Sequence, residues 1–83
     1  MGVPYVMKAY VEMSIAPGRV KNILRELRRI SNVKEVSAVT GHCDIIASID
    51  VPDMETFSRL VLERIQSLEG VTHTETLVCI PVE

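Results

Sequence analysis

The spacing of apolar side chains changes along the chain, and each change marks the boundary of a predicted element. From residue 5 to residue 15 every second side chain is apolar, which predicts a β-strand with one buried face. Pro17 and Gly18 interrupt this alternation. Apolar residues then recur every three or four positions, which predicts an amphipathic helix over 19–30. The predicted buried positions are Ala9, Val11, Met13 and Ile15 in the strand and Val20, Ile23, Leu24, Leu27 and Ile30 in the helix.

The second half of the chain repeats this pattern after a hairpin. β-forming residues over 33–40 and 45–51 predict two strands that are joined by a turn at 41–44. Asp53 is a suitable N-cap for a second amphipathic helix. A last alternating segment over 71–82 predicts a fourth strand.

The resulting order is strand, helix, strand, strand, helix, strand, with short connections. Right-handed crossovers in both halves give an α+β, ferredoxin-like fold, in which a four-stranded antiparallel sheet of order 4-1-3-2 carries both helices on one face. The other face of the sheet is too apolar to remain in water. We expect it to form the interface of a dimeric α+β barrel through Tyr10, Ile46, Val78 and Ile80.

The length of the chain also favours oligomerisation. We expect one domain over residues 1–83, and a chain of this size buries too little surface to be very stable as a monomer. Disulfides, a metal or a partner subunit usually supply the missing stability. Two cysteines without a secretory signal do not make a disulfide framework, and the composition indicates no cofactor. The mean hydropathy of +0.23 therefore points to a partner subunit.

The charge balance excludes some partners. Nine basic and eleven acidic residues give a net charge of −2, which provides no general attraction to nucleic acids or to anionic membranes. No apolar run approaches the ~20 residues that span a bilayer, and the N-terminus has no signal-peptide pattern, so we expect a cytoplasmic protein. One helix face is basic and is either solvated, in contact with the Glu-rich second helix of a neighbour, or in contact with DNA within a mixed complex. Its cations are Arg19, Lys21, Arg25, Arg28 and Arg29.

Few side chains could carry metal or covalent chemistry. The predicted turn contains His42, Cys43 and Asp44, and His73 is the other histidine. Neighbouring residues of a tight turn do not converge easily on one ion, and no C-x-x-C or H-x-x-x-H spacing is present, so we expect no metal site. A nucleophilic Cys43 needs a base, and its neighbour His42 is expected to point to the opposite face. No catalytic residue is predicted.

The turn at 41–44 is a better candidate for a binding site. Gly41 lets a ligand approach backbone N–H groups that bind a carboxylate, and Asp44 can bind an ammonium group. The structural alternative is that Gly41 supplies a turn with positive φ while Asp44 bonds to nearby backbone. The alternating Thr72, Thr74 and Thr76 are likewise consistent with a ligand site or with ordinary cross-strand packing.

Together these segments resemble the ligand-binding and oligomerisation domain of the leucine-responsive/AsnC (feast/famine) transcription regulators. The most specific pattern is V-T-G-x-x-D at 39–44, followed by an apolar strand, a helix and G-V-x-x-T-x-T at 70–76. Similar segments at 10–13, 17–18 and 51–53 extend the resemblance over essentially the whole chain. The helix-turn-helix domain of the full-length regulators has no counterpart here. The chain is therefore similar either to the family's stand-alone modules or to a piece of a longer regulator, and in both cases we expect that it does not recognise operator DNA by itself.

The resemblance implies partners and a ligand site. Members form dimers that assemble into rings such as tetramers of dimers, and small effectors, mainly amino acids, bind where dimers meet. Cys43 stands where the family often has an aromatic residue. The implied partners are further copies of this chain, an amino acid and full-length regulators of the family. The matching ligand-binding residues are Gly41, His42, Cys43, Asp44, Thr74 and Thr76.

The predicted topology suggests how these residues are arranged. We expect the turn at 41–44 to lie near the end of the last strand that carries Ile80. Thr74 lies six residues back, or roughly 20 Å at about 3.3 Å per residue. One subunit then cannot present both elements to one small ligand, and a site that uses both must span subunits.

The sequence thus favours a non-enzymatic module that binds an amino acid, forms oligomers and modulates transcription through full-length regulators. Two alternatives stay open. One is a small monooxygenase-like enzyme, because related dimeric α+β barrels host such activities. The other is an architectural subunit that binds no effector.

Overall fold

The computed structural model describes residues 6–80 and has the predicted order of elements. The predicted strand over 71–82 ends earlier, at Val78; its positions 81 and 82 lie outside the described residues, as does residue 5 of the first predicted strand. The elements are β1 (Met7–Ile15), α1 (Val20–Arg28), β2 (Val33–Ala38), β3 (Ile45–Val51), α2 (Met54–Arg59), a π-helical segment (Leu60–Ile65) that continues α2, and β4 (Val71–Val78).

The four strands form one antiparallel sheet of order β2-β3-β1-β4, which confirms the predicted order 4-1-3-2. Met13 of β1 pairs with Ile45 of β3 on one side and with Thr74 of β4 on the other. β3 and β4 therefore run in the same direction, and the turn before β3 lies at the end of the sheet where β4 begins. The expectation that this turn lies near Ile80 was wrong, because it reversed the direction of β4 relative to β3.

One hydrophobic core lies between the sheet and both helices. The predicted inward positions of β1 are buried, which confirms the period-two pattern. Ile23 and Leu27 of α1 belong to the same cluster as Phe57 of α2 and Ile65 of the π-helical segment, so both helices cover one face of the sheet. Burial of a side chain such as Leu27 contributes about 1.5–3 kcal/mol.

The second helix begins with a side-chain cap and widens towards its end. Asp53 Oδ1 accepts a hydrogen bond from the Thr56 N–H at 2.7 Å, which confirms the predicted N-cap. In the π-helical segment the bonds span five residues, and the Gln66 N–H donates to the Val61 carbonyl at 2.8 Å. Gln66 Nε2 then donates to Thr74 Oγ1 on β4 at 2.9 Å. Within residues 6–80, no helix has the length and apolar character needed to cross a membrane.

The face of the sheet opposite the helices, called the open face below, mixes apolar and acidic side chains. Tyr10 and Glu12 alternate with the buried residues of β1 and so point to the open face. Residues directly opposite each other in an antiparallel pair point to the same side. Ile46 pairs with Glu12, and Leu77 pairs with Tyr10. Tyr10 and Ile46 therefore lie on the open face as predicted, and Leu77 lies beside them.

Two other predicted interface residues lie elsewhere. Val78 pairs with Ala9, which is buried beneath the helices, so Val78 lies on the helix side of the sheet. Ile80 lies two residues beyond the end of β4 and is exposed. The prediction that Val78 lies on the open face was wrong, because β4 carries apolar residues in both of its alternating sets. The register with β1, and not the sequence of β4, decides which set faces the helices.

Candidate functional site

Asp44 fixes the turn between β2 and β3 with three hydrogen bonds. Gly41 has a φ of 124°, so the predicted turn with positive φ is confirmed. The Asp44 carbonyl accepts from the Val39 N–H at 2.9 Å, which closes the turn. The Asp44 N–H donates to the Met13 carbonyl at 2.8 Å, and Oδ2 accepts from the Ile15 N–H at 2.8 Å. The last two bonds attach the turn to β1.

The Asp44 carboxylate completes the end of β1. The β1–β3 pairing ends at Met13 and Ile45, and the β1–β4 register shifts between Ser14 and Ile15. The Ile15 N–H therefore lies beyond the regular β1–β3 ladder, and the carboxylate supplies the acceptor that a buried N–H requires. One of the two carboxylate oxygens of Asp44 is therefore used for a bond to the backbone, as the structural alternative for this turn expects.

His42 connects the turn to the open face. Its Nε2 lies 2.9 Å from Glu12 Oε1, thirty residues earlier in the chain. The side chain of Glu12 is 15% exposed, whereas that of His42 is 76% exposed. The hydrogen bond to Glu12 and the charge of Glu12 raise the pKa of His42 above 6.5; partial desolvation opposes this, and the charge of Glu75 adds to it.

Cys43 is a buried thiol with low reactivity. Burial raises its pKa, and the negative charges of Glu12, Asp44 and Glu75 act in the same direction. A hydrogen bond with the backbone of Met13 acts in the opposite direction. Because the thiolate is the reactive form, a raised pKa makes Cys43 a poor nucleophile at neutral pH.

The turn and β1 bring three side chains of different chemistry together. One ligand atom each from Glu12, His42 and Cys43 lies within 4.8 Å of the other two. The expectation that His42 and Cys43 point to opposite faces was wrong, because they lie in a bend and not in a strand. Sequence reasoning missed Glu12 altogether. Its position in the polar set of β1 was visible, but the contact with the turn depends on the pairing of β1 and β3.

The two predicted threonines lie on the other side of the sheet. Thr74 and Thr76 pair with Met13 and Val11, which are buried, so both threonines belong to the helix side. They lie at the β4 edge of a cavity of about 310 Å³ between β4 and the second helix. This β4-edge cavity is lined by Met54, Phe57, Ser58, Val61, Leu62, Gln66, Thr74 and Thr76.

The six predicted ligand residues therefore form two groups. The turn and Thr74 lie at the same end of the sheet, separated by β1, so the expected separation of roughly 20 Å along β4 was wrong. The groups are separated because His42 contacts the open face while Thr74 and Thr76 face the helix side. Gln66, which bonds Thr74, was also missed, because the π-helical widening that places it has no signal in the apolar pattern.

The basic face of α1 is partly neutralised. Arg19 forms an ion pair with Glu69 at 2.8 Å, and Arg29 lies 3.7 Å from Glu26. Arg25 donates to Asn22 at 3.3 Å.

Comparisons with known proteins indicate a family. The profile of the Lrp/AsnC ligand binding domain matches residues 8–81. The chain is 29% identical over 79 residues to an uncharacterized HTH-type transcriptional regulator of Pyrococcus horikoshii, PH0140. That match covers 95% of this chain and 50% of the relative, so the chain spans about half the length of this curated relative.

Solved structures have the same fold. TTHA0845 from Thermus thermophilus superposes with a TM-score of 0.88 at 32% identity, over 93% of this chain and 96% of that chain. The complex of the transcriptional regulator NMB0573 with L-Met from Neisseria meningitidis gives a TM-score of 0.85 at 23% identity, over 90% of this chain and 50% of that chain. The second similarity concerns the fold alone.

Removal of the Asp44 carboxylate should destabilise the fold. Asp44→Ala leaves the part-buried Ile15 N–H without its acceptor, which costs about 1–3 kcal/mol. We expect the Tm to fall by roughly 4–20 °C. Asp44→Asn keeps an oxygen acceptor for the Ile15 N–H, so its Tm should fall less than that of Asp44→Ala. An Asp44→Ala protein that melts at the wild-type temperature would show that this bond does not hold the turn.

The contact between His42 and Glu12 should make stability depend on pH. The pKa of His42 is raised in the folded state, so its contribution is fully present below 6.5 and is lost as the pH rises through the raised pKa. Thermal unfolding at a series of pH values should therefore show that wild type gains stability relative to His42→Gln as the pH falls from above the raised pKa of His42 to 6.5. His73→Gln is the matched control and should follow wild type. Parallel pH profiles for wild type and His42→Gln would contradict the contact.

Proposed function

The chain belongs to the Lrp/AsnC ligand-binding domain family, and from this premise we propose that it is a non-enzymatic module that binds an amino acid, forms oligomers and modulates transcription. The β4-edge cavity is the observation that carries the proposal. The cavity lies between Thr74 and Thr76, which match the family's T-x-T element, and apolar side chains of the second helix. Its volume of about 310 Å³ lies at the lower end of the range of small-molecule sites, which suits a ligand of amino-acid size.

The lining of the cavity favours an amino acid with an apolar side chain. Met54 and Leu62 are 54% and 63% exposed at its rim, although both are apolar. Thr76 and the bonded pair of Gln66 and Thr74 supply neutral hydrogen-bonding groups on the opposite side. The L-Met complex of the regulator from Neisseria meningitidis supports an apolar amino acid as ligand.

The charged ends of an amino acid need further partners, because the lining residues of the cavity are uncharged. The turn at 41–44 of the same subunit contacts the open face, so it does not complete this cavity. We therefore propose that the turn of a neighbouring subunit approaches the cavity when dimers assemble. Its backbone N–H groups would bind the carboxylate, and the second oxygen of Asp44 would bind the ammonium group.

The open face is the proposed dimer interface. Tyr10, Ile46 and Leu77 are adjacent on it, and Leu77 is 44% exposed. Both helices lie on the other side of the sheet, so no element within residues 6–80 covers these apolar side chains. Two such faces packed together would remove them from water, which is the main source of association energy between subunits.

The proposed partners in transcription are larger regulators of the same family. The matched relative from Pyrococcus horikoshii is an HTH-type regulator of about twice this length. We propose that the present chain associates with such regulators through the shared domain and acts in the cytoplasm, where they bind DNA. The similarity to transcriptional regulators with a ligand-binding domain argues against the enzymatic alternative.

A panel of the twenty amino acids tests effector binding. In thermal unfolding we expect an apolar amino acid, with L-Met as the first candidate, to raise the Tm. At a hundredfold excess over the Kd the gain is about 2.7 kcal/mol, or roughly 10–20 °C. Thr76→Val keeps the shape of the cavity and should weaken the response, whereas Ser31→Ala, exposed and remote, should retain it. Indifference to all twenty amino acids would favour the architectural alternative.

The dimer interface is tested by placing a charge on it. Leu77→Asp puts a carboxylate on the proposed contact surface, and light scattering coupled to size exclusion should show a monomer. Leu62→Asp is the matched control, because it places the same charge on an exposed leucine outside the open face and should leave at least the dimer. A wild-type protein that is monomeric, or a Leu77→Asp protein that assembles normally, would contradict this interface.

A further inference from the structure

Glu12, His42 and Cys43 form a cluster whose side chains have no role in the effector binding proposed above. A carboxylate oxygen, an imidazole nitrogen and a thiol sulfur lie within 4.8 Å of one another. We propose that this cluster is a binding site for a divalent transition metal of the Zn²⁺ class. The metal would tie the turn at 41–44 to the central strand β1.

The donor set selects the class of metal. Zn²⁺ accepts oxygen, nitrogen and sulfur ligands together, whereas Mg²⁺ and Ca²⁺ prefer sites made of oxygen alone. In a tetrahedral zinc site neighbouring ligand atoms are about 3.3–3.7 Å apart, so the cluster needs a contraction of roughly 1 Å at its widest. His42 Nε2 and Glu12 Oε1 are closer than this, at 2.9 Å, and would move apart by roughly 0.5 Å to admit the ion. Binding also requires the Cys43 thiol to lose its proton, which the metal displaces into solvent.

The backbone holds two of the three ligands in place. Glu12 belongs to β1, which is paired on both sides with β3 and β4. Cys43 precedes Asp44, whose bonds to Met13 and Ile15 fix the turn on the end of β1. Asp44 is therefore a positioning residue for the site. The exposed His42 side chain gives an ion access from solvent and can close over it.

Charge provides a second, independent argument for a cation. Glu75 of β4 lies directly opposite Glu12 on the open face. Like charges that face each other across two strands destabilise a sheet. The net charge of the protein is only −2, so a general excess of acidic residues does not account for this pair. A divalent cation beside Glu12 relieves this repulsion. Three protein ligands leave one coordination position, which either Glu75 or water can fill.

The arrangement explains why the sequence pattern concealed the site. Spacing rules look for ligands that are close in sequence, such as C-x-x-C. Here two ligands are adjacent and the third lies thirty residues away in another strand. The ligand atoms of His42 and Cys43, which we expected not to converge easily on one ion, lie within 4.8 Å of each other.

Titration with Co²⁺ tests the site, because Co²⁺ substitutes for Zn²⁺ and reports a bound thiolate by a charge-transfer band in the near ultraviolet. The experiment uses the reduced full chain without an affinity tag. We expect one Co²⁺ per chain, the charge-transfer band, displacement by Zn²⁺, and a higher Tm with Zn²⁺. Cys43→Ser should abolish the band. His42→Gln and Glu12→Gln should each weaken binding at least about tenfold.

The chain contains a matched control for two of the ligands. Cys79 is its other cysteine and His73 its other histidine, so Cys79→Ser and His73→Gln should bind Co²⁺ like wild type. Circular dichroism establishes that each variant is folded, and Glu12→Gln tests the site without removing a buried group. A wild-type protein without the band and without a response to Zn²⁺ would overturn the proposal. So would a band that persists in Cys43→Ser or disappears in Cys79→Ser. None of these results depends on amino-acid binding.

Discussion

The hydrogen bond from the Ile15 N–H to the Asp44 carboxylate determines where the β2–β3 turn meets the rest of the molecule. The turn could otherwise project from the sheet, because the β1–β3 ladder ends before it, at the pair of Met13 and Ile45. With the bond in place, His42 reaches Glu12 and Cys43 is buried beside it. The Asp44 carboxylate thus completes the backbone bonding of β1 and, together with the Asp44 N–H, attaches the turn that carries His42 and Cys43.

β1 separates two regions with different chemistry. On the helix side, the strand supports the core, and the threonines of β4 border a small cavity with an apolar wall. On the open face, it carries Tyr10, which belongs to the proposed dimer interface, and Glu12, which contacts His42. The proposed effector site and the proposed metal site therefore lie on opposite faces of one strand. Assembly of subunits would connect them, since a neighbouring turn is proposed to complete the cavity.

The sequence predicted the fold well and the sites less well, for a physical reason. The regular spacing of apolar residues in β1 and α1 reflects burial of one side of each element. Such spacing can be read from one short segment of the sequence. The placement of Val78 and the proximity of Glu12 to the turn depend on strand register. Register arises from pairing between distant segments, and β4 lacks a distinct apolar face that could indicate it. The positive φ of Gly41 and the cap by Asp53 were predictable, because both are properties of one short segment.

The most direct measurement is an NMR titration of His42 in wild type and in Asp44→Ala. The central claim is that the carboxylate of Asp44 positions the turn so that His42 meets Glu12. We expect the pKa of His42 to lie above 6.5 in wild type, because Glu12 bonds the imidazole, and to return towards 6.5 when Asp44 is removed. A pKa of His42 that is the same in both proteins would contradict the claim.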